Sequence, residues 1–87
     1  MAANAPIIRD FTAAADFASL SAERCVGSFE ISAPPENTGN IVFLGDDGMS
    51  EVAWIPGEYH EFSRVDLSQM QAKGNPGDKL RITGGVW

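Results

Sequence analysis

The residues best suited to catalysis in this 87-residue chain are its single cysteine and its single histidine, Cys25 and His60. A thiol and an imidazole are the parts of an activated nucleophile. In an extended strand, however, His60 shares a face with Phe62, and spacing alone assigns it neither of the nearby carboxylates, Glu58 and Glu61. Cys25 lies on the apolar face of an alternating run and has no local nucleophile signature, which indicates a small buried hydrophobe. A Cys25–His60 pair across the fold stays as the enzymatic alternative.

The sequence indicates no metal or phosphate site. One cysteine and one histidine cannot complete a structural zinc site, and Asp46-Asp47-Gly48 lacks the alternating oxygen ligands of a calcium loop. That triplet predicts a turn in which Asp47-Gly48 supplies positive φ angles. The stretch GNPGDK, residues 74–79, lacks the GxxxxGK spacing of a phosphate loop and predicts a hairpin turn. We therefore expect no cofactor and no enzymatic activity.

Charge and hydropathy exclude two classes of partner. The chain has 12 acidic and 6 basic residues, a net charge of −6, and its basic residues are scattered singly. Binding to a nucleic-acid backbone requires a clustered basic face, so none is expected. No apolar run approaches the roughly 18 residues of a membrane span, and the opening MAANAPII lacks the charged region of an export signal. These features predict a soluble protein, folded in a reducing cytoplasm.

Glycines and prolines divide the chain into short runs, a spacing typical of an all-β domain. The run CVGSFEIS alternates cleanly and predicts a half-buried strand, whereas NIVFLG is apolar on both faces and predicts a central strand covered on both sides. Pro56-Gly57 predicts a type II turn. After this turn, Val65 has the opposite parity from Phe62, which requires a bulge near Ser63-Arg64. The predicted core is Phe29, Ile31, Ile41, Phe43, Leu80 and Ile82.

The first 24 residues are consistent with either a helix or two strands. The segment FTAAADFASLSAER is rich in alanine and could form a short helix. The β-branched and aromatic residues of IIRDFTA and DFASL, with no capping box, favour two strands. Because such a small domain buries little core and Cys25 cannot form an intrachain disulfide, we expect stabilisation by self-association.

Between residues 25 and 84 the chain resembles small structural proteins of tailed-bacteriophage virions. The matching stretches, in order, are ENTGNIVFLG, WIPGEYHEFSRVDLSQM and GNPGDKLRITG. Some proteins of this kind are capsid cement or decoration proteins, which form β-sandwich or jelly-roll trimers on head shells. The resemblance implies one domain over residues 1–87, a β-sandwich or jelly roll of seven to eight short strands. Residues 1–6 would be an N-terminal arm and residues 84–87 a C-terminal tail.

The resemblance also implies a location and partners. The protein would be made in the host cytoplasm and would bind between capsomers of the virion, with the major capsid protein and copies of itself, as dimer or trimer, for partners. The alternatives are a phage tail or receptor-binding module and a small bacterial binding domain. Large aromatic and aliphatic side chains near the ends and in the turns are candidates for the interface. These candidates are Trp87, Val86, Trp54, Tyr59, Ile7 and Ile8.

Overall fold

The structure, a computed structural model, describes residues 6–86, which form eight β-strands and one short 3-10 helix. The 3-10 helix, Leu67–Gln69, is capped by the preceding residue Asp66, whose side chain accepts a hydrogen bond from the backbone N–H of Ser68. No helix in residues 6–86 is long and apolar enough to cross a membrane. The alanine-rich stretch before residue 25 contains strands, as predicted. The strands are β1 (Ile7–Thr12), β2 (Ala18–Ser19), β3 (Val26–Ser32), β4 (Ile41–Leu44), β5 (Glu51–Trp54), β6 (Tyr59–Asp66), β7 (Gln71–Lys73) and β8 (Lys79–Val86).

The strands form two four-stranded antiparallel sheets. Sheet A has the order β1-β8-β3-β6 and sheet B the order β2-β7-β4-β5. The first strand pairs with the eighth, the second with the seventh, the third with the sixth and the fourth with the fifth. This is the pattern of one long hairpin, with its tip between β4 and β5, rolled up so that β3 also pairs with β8 and β4 with β7. The β-sandwich prediction is confirmed, and the strand order is that of a jelly roll.

The core lies between the two sheets. All six predicted core residues are buried, because each stands at an inward position of its strand. The alternation of β3 and β8 predicted these positions correctly. Seven further residues complete the core, namely Ala13, Leu20, Cys25, Ala33, Trp54, Leu67 and Ala72.

The predicted bulge is present in β6. The register between β3 and β6 shifts so that one residue of β3 faces both Ser63 and Arg64. Arg64 has a φ of 57°, the left-handed conformation that such a bulge accommodates. Phe62 and Val65 are three residues apart, so in a regular strand their side chains would point to opposite faces. Because of the bulge, both side chains pack against the core.

Two local predictions are wrong and a third needs revision. The turn in residues 74–79 is not a hairpin, because it connects β7 in sheet B to β8 in sheet A. β4 is central, but only its inner face is fully covered, and Val42 and Leu44 on the other face are half-buried. Residues 84–86, expected in the tail, are the end of β8 and pair with β3. Residues 1–5 of the expected arm and Trp87 lie outside the described residues.

Candidate functional site

An apolar groove opens between β5 and β6, which are the edge strands of the two sheets on the same side of the sandwich. Its volume is about 440 Å³. The floor is formed by Phe43, Trp54, Phe62 and Met70, and Val52 of β5 forms part of one wall. A concave apolar surface of this size is typical of a binding site. The groove is therefore the strongest candidate for a functional site in residues 6–86.

Trp54 is the central ring of the groove floor. Its ring centroid lies 4.2 Å from that of Phe43, 4.6 Å from that of His60 and 6.2 Å from that of Phe62. Only 3 % of Trp54 is exposed. Trp54, one of the interface candidates from the sequence, therefore belongs to the core: although β5 is an edge strand, this position points inward, and the indole also lines the groove. The ring of His60 packs on this indole ring. His60 therefore contacts an aromatic residue of the other sheet, in addition to sharing a face of β6 with Phe62.

The rim of the groove is polar and acidic. His60 Nε2 and Glu58 Oε2 are 2.6 Å apart, and the backbone N–H of Ile55 donates to Glu58 Oε1 at 3.0 Å. These bonds, first that of His60 and then that of Ile55, hold the pKa of Glu58 below its ordinary value. The type II turn predicted at Pro56-Gly57 is consistent with the Gly57 φ of 94°. Glu58 and His60 are two residues apart, and that spacing on an extended chain is the signal by which their pairing could have been predicted.

A second acidic residue, Glu61, also lines the groove. Glu61 stands directly opposite Glu30 in the register of β3 and β6, on the outer face of sheet A. Like charges in directly opposite positions are destabilising. None of the ion pairs formed within residues 6–86 involves either glutamate.

The structure does not bring Cys25 and His60 together. Cys25 precedes Val26, which pairs with Asp66, whereas His60 pairs with Ile31 at the other end of the same two strands. Six residues of extended chain place them about 20 Å apart. Cys25 is buried, as predicted, and its backbone N–H donates to Asp66 Oδ1 at 3.0 Å. Within residues 6–86, no three His, Cys, Asp or Glu side chains are grouped so as to hold a metal ion.

The remaining interface candidates are divided between two sides of the molecule. Ile8 is 69 % exposed on β1, and Tyr59 is 63 % exposed on β6, at the opposite edge of sheet A. Val86, at the end of β8, is also exposed. Ile7 is half-buried against the core. These residues do not form one continuous apolar patch, which indicates that any shared role requires contacts at more than one edge.

No protein-family model, no curated protein and no solved structure matches this chain. The case for a function therefore depends on the chain's own residues and their arrangement.

Proposed function

We propose that this chain is a non-enzymatic structural protein of a tailed-phage virion, a cement or decoration protein that binds between capsomers of the head shell. The observation that carries the proposal is the exposure of large apolar side chains at both free edges of the sandwich. Ile8 lies on β1, and Val52 and Tyr59 lie on β5 and β6. Edges of this kind are available to neighbouring subunits.

Two further observations support a structural role. The thiol of Cys25 is buried and lies far from the imidazole of His60, so the two residues do not form a nucleophile and base. The jelly roll is a fold that viral capsid domains use. A protein that binds only the assembled shell stabilises it by mass action, with no reaction to perform.

The test is to mix the purified chain with head shells of the phage that encodes it, before and after expansion. We expect co-sedimentation with expanded shells, a higher temperature of shell disruption, and density at repeated lattice positions in electron micrographs. Density confined to one vertex would instead assign the chain to the tail. Failure to bind shells of either form would contradict the cement role.

The groove favours a second candidate function, that of a small binding module. Its floor is apolar and its rim has fixed polar groups, the combination found in ligand sites. A soluble partner recovered on the groove, with no binding to shells, would favour this alternative.

A further inference from the structure

We propose that His60 is a pH-dependent latch between the two sheets, which holds the edge strands β5 and β6 together more tightly when its imidazole is charged. Histidine is the side chain whose charge ordinarily changes between about pH 5 and pH 8. The latch is a property of the folded chain itself, and it goes beyond the proposed binding to head shells.

The latch consists of contacts that join β6 to β5. The ring centroid of His60 lies 4.6 Å from that of Trp54, the last residue of β5, with the two rings tilted by 49°. On its other side, Nε2 of His60 lies 2.6 Å from Oε2 of Glu58. The second oxygen of Glu58 accepts a hydrogen bond from the backbone N–H of Ile55 at 3.0 Å. These contacts form a closed loop that begins and ends at β5, because Ile55 directly follows Trp54.

The residues packed around His60 leave Glu58 as its charged partner. Ile31 of β3 stands opposite His60 in the register of sheet A, and sheet B presents Trp54. No lysine or arginine lines the groove, and none of the ion pairs formed within residues 6–86 gives His60 another partner. The charged residues next to these positions on β3, β5 and β6 belong to the outer faces of the two sheets, namely Glu30, Glu51 and Glu61.

A charged imidazole strengthens both contacts of the ring. A hydrogen bond between an imidazolium and a carboxylate is charge-assisted and is stronger than one from a neutral ring. A cation against an indole is also attracted by the quadrupole of the aromatic ring. Glu58 stays ionised across the range in which histidine changes charge, because the bonds from His60 and Ile55 hold its pKa below the ordinary value.

The direction of the pH dependence follows from this arrangement. The charged imidazole of His60 has the carboxylate of Glu58 as a partner only in the folded chain. Its contribution to the free energy of unfolding is therefore present at the acid end of the range and is lost as the pH rises through the transition. We expect β5 and β6 to be held together more tightly at pH 5 than at pH 8.

The experiment measures the fluorescence of Trp54 between pH 8 and pH 5. It uses a Trp87→Phe chain, in which Trp54 is the single tryptophan. A charged imidazole in contact with an indole quenches its emission, so we expect the intensity to fall as the pH is lowered. His60→Gln should lose this transition, because glutamine does not titrate. Glu58→Gln should keep the transition but move its midpoint to lower pH, because the carboxylate that favours the charged ring is gone.

Glu30→Gln is the matched control for Glu58→Gln. It removes the same charge from an exposed position on the outer face of sheet A, outside the groove, and should leave the midpoint close to that of the unaltered position. A second measurement, urea unfolding at pH 8 and at pH 5, reports the latch directly. The stability that His60→Gln loses should be greater at pH 5 than at pH 8. Circular dichroism confirms that each variant is folded.

Four outcomes would overturn the inference. Three concern fluorescence: an emission intensity that does not change between pH 8 and pH 5, a transition that persists in His60→Gln, and a midpoint that Glu58→Gln leaves in place. The fourth is a loss of stability in His60→Gln that is the same at both pH values, which would make the ring of His60 a packing contact without a latch.

Discussion

The carboxylate of Asp78 accepts hydrogen bonds from the backbone N–H and the hydroxyl of Thr38, although the two residues are 40 positions apart. The backbone N–H of Gly39 adds a third donor at 3.0 Å. Asp78 is the one buried charged or polar residue among residues 6–86. Its bonds join the loop between β3 and β4 to the turn that precedes β8. One side chain thus ties together two loops at one end of the sandwich.

We expect Asp78→Asn to destabilise the domain and to reduce its sensitivity to acid. Hydrogen bonds, first that of the Thr38 backbone, hold the pKa of Asp78 below the ordinary value of 3.8. Because the folded-state pKa is depressed, the stabilisation is complete above about pH 5 and is lost as the pH falls through the folded-state value. Urea unfolding at pH 7 and at pH 3 measures the effect.

Asp46→Asn is the control for Asp78→Asn, because it removes the same charge at an exposed position. It should leave stability at pH 7 nearly unchanged. An Asp78→Asn variant that loses as much stability between pH 7 and pH 3 as the wild type would contradict the prediction.

The adjacent glycines of β8 should respond differently to alanine. A Cβ at Gly84 would collide with the carbonyl oxygen of Ser28 and lie 2.9 Å from the Cα of Phe29, whereas a Cβ at Gly85 would meet no atom within 4 Å. We expect Gly84→Ala to cost about 1–3 kcal/mol, as overpacking does, and Gly85→Ala to change stability by less than about 0.5 kcal/mol. Denaturant titration of the two variants side by side distinguishes them. Equal stabilities of the two variants would show that β3 and β8 move apart to accommodate the added Cβ without a loss of stability.

Phe43→Ala should lower the free energy of unfolding by about 3–5 kcal/mol. Phe43 is buried and its ring lies 4.2 Å from that of Trp54, so truncation leaves a cavity beside the largest ring of the core. A loss of this size is a large part of the stability of so small a domain. Ile55→Ala, at a residue 60 % exposed, should cost about 0.5 kcal/mol or less. Chemical denaturation that gives the two variants similar midpoints would contradict the assigned core.

Trp87→Ala tests the predicted role of the C-terminal aromatic residue in binding the shell. Large aromatic side chains are enriched among the residues that dominate interface energies, so we expect attachment to shells to weaken by about 2 kcal/mol or more. The melting temperature of the isolated domain should change little. Quantitative co-sedimentation measures the first effect and calorimetry the second. Decoration as tight as that of the wild type would refute the prediction.

The sequence alone determined the local features of this protein. Strand-period alternation identified the inward positions of β3 and β8, and the change of parity after Phe62 located the bulge at Ser63 and Arg64. Glycine and proline marked the turns. These features were predictable because side-chain direction in a strand and backbone conformation in a turn depend on a few adjacent residues.

Only the tertiary structure decided which strands pair and what each pair brings together. Strand β1 pairs with β8 from the other end of the chain, and the turn at residues 74–79 crosses between sheets, although its sequence is that of a hairpin. The burial of Trp54 and the bonds of Asp78 both follow from such pairings. No local pattern encodes them, because the free energy of a long-range pairing depends on how the whole chain closes its core.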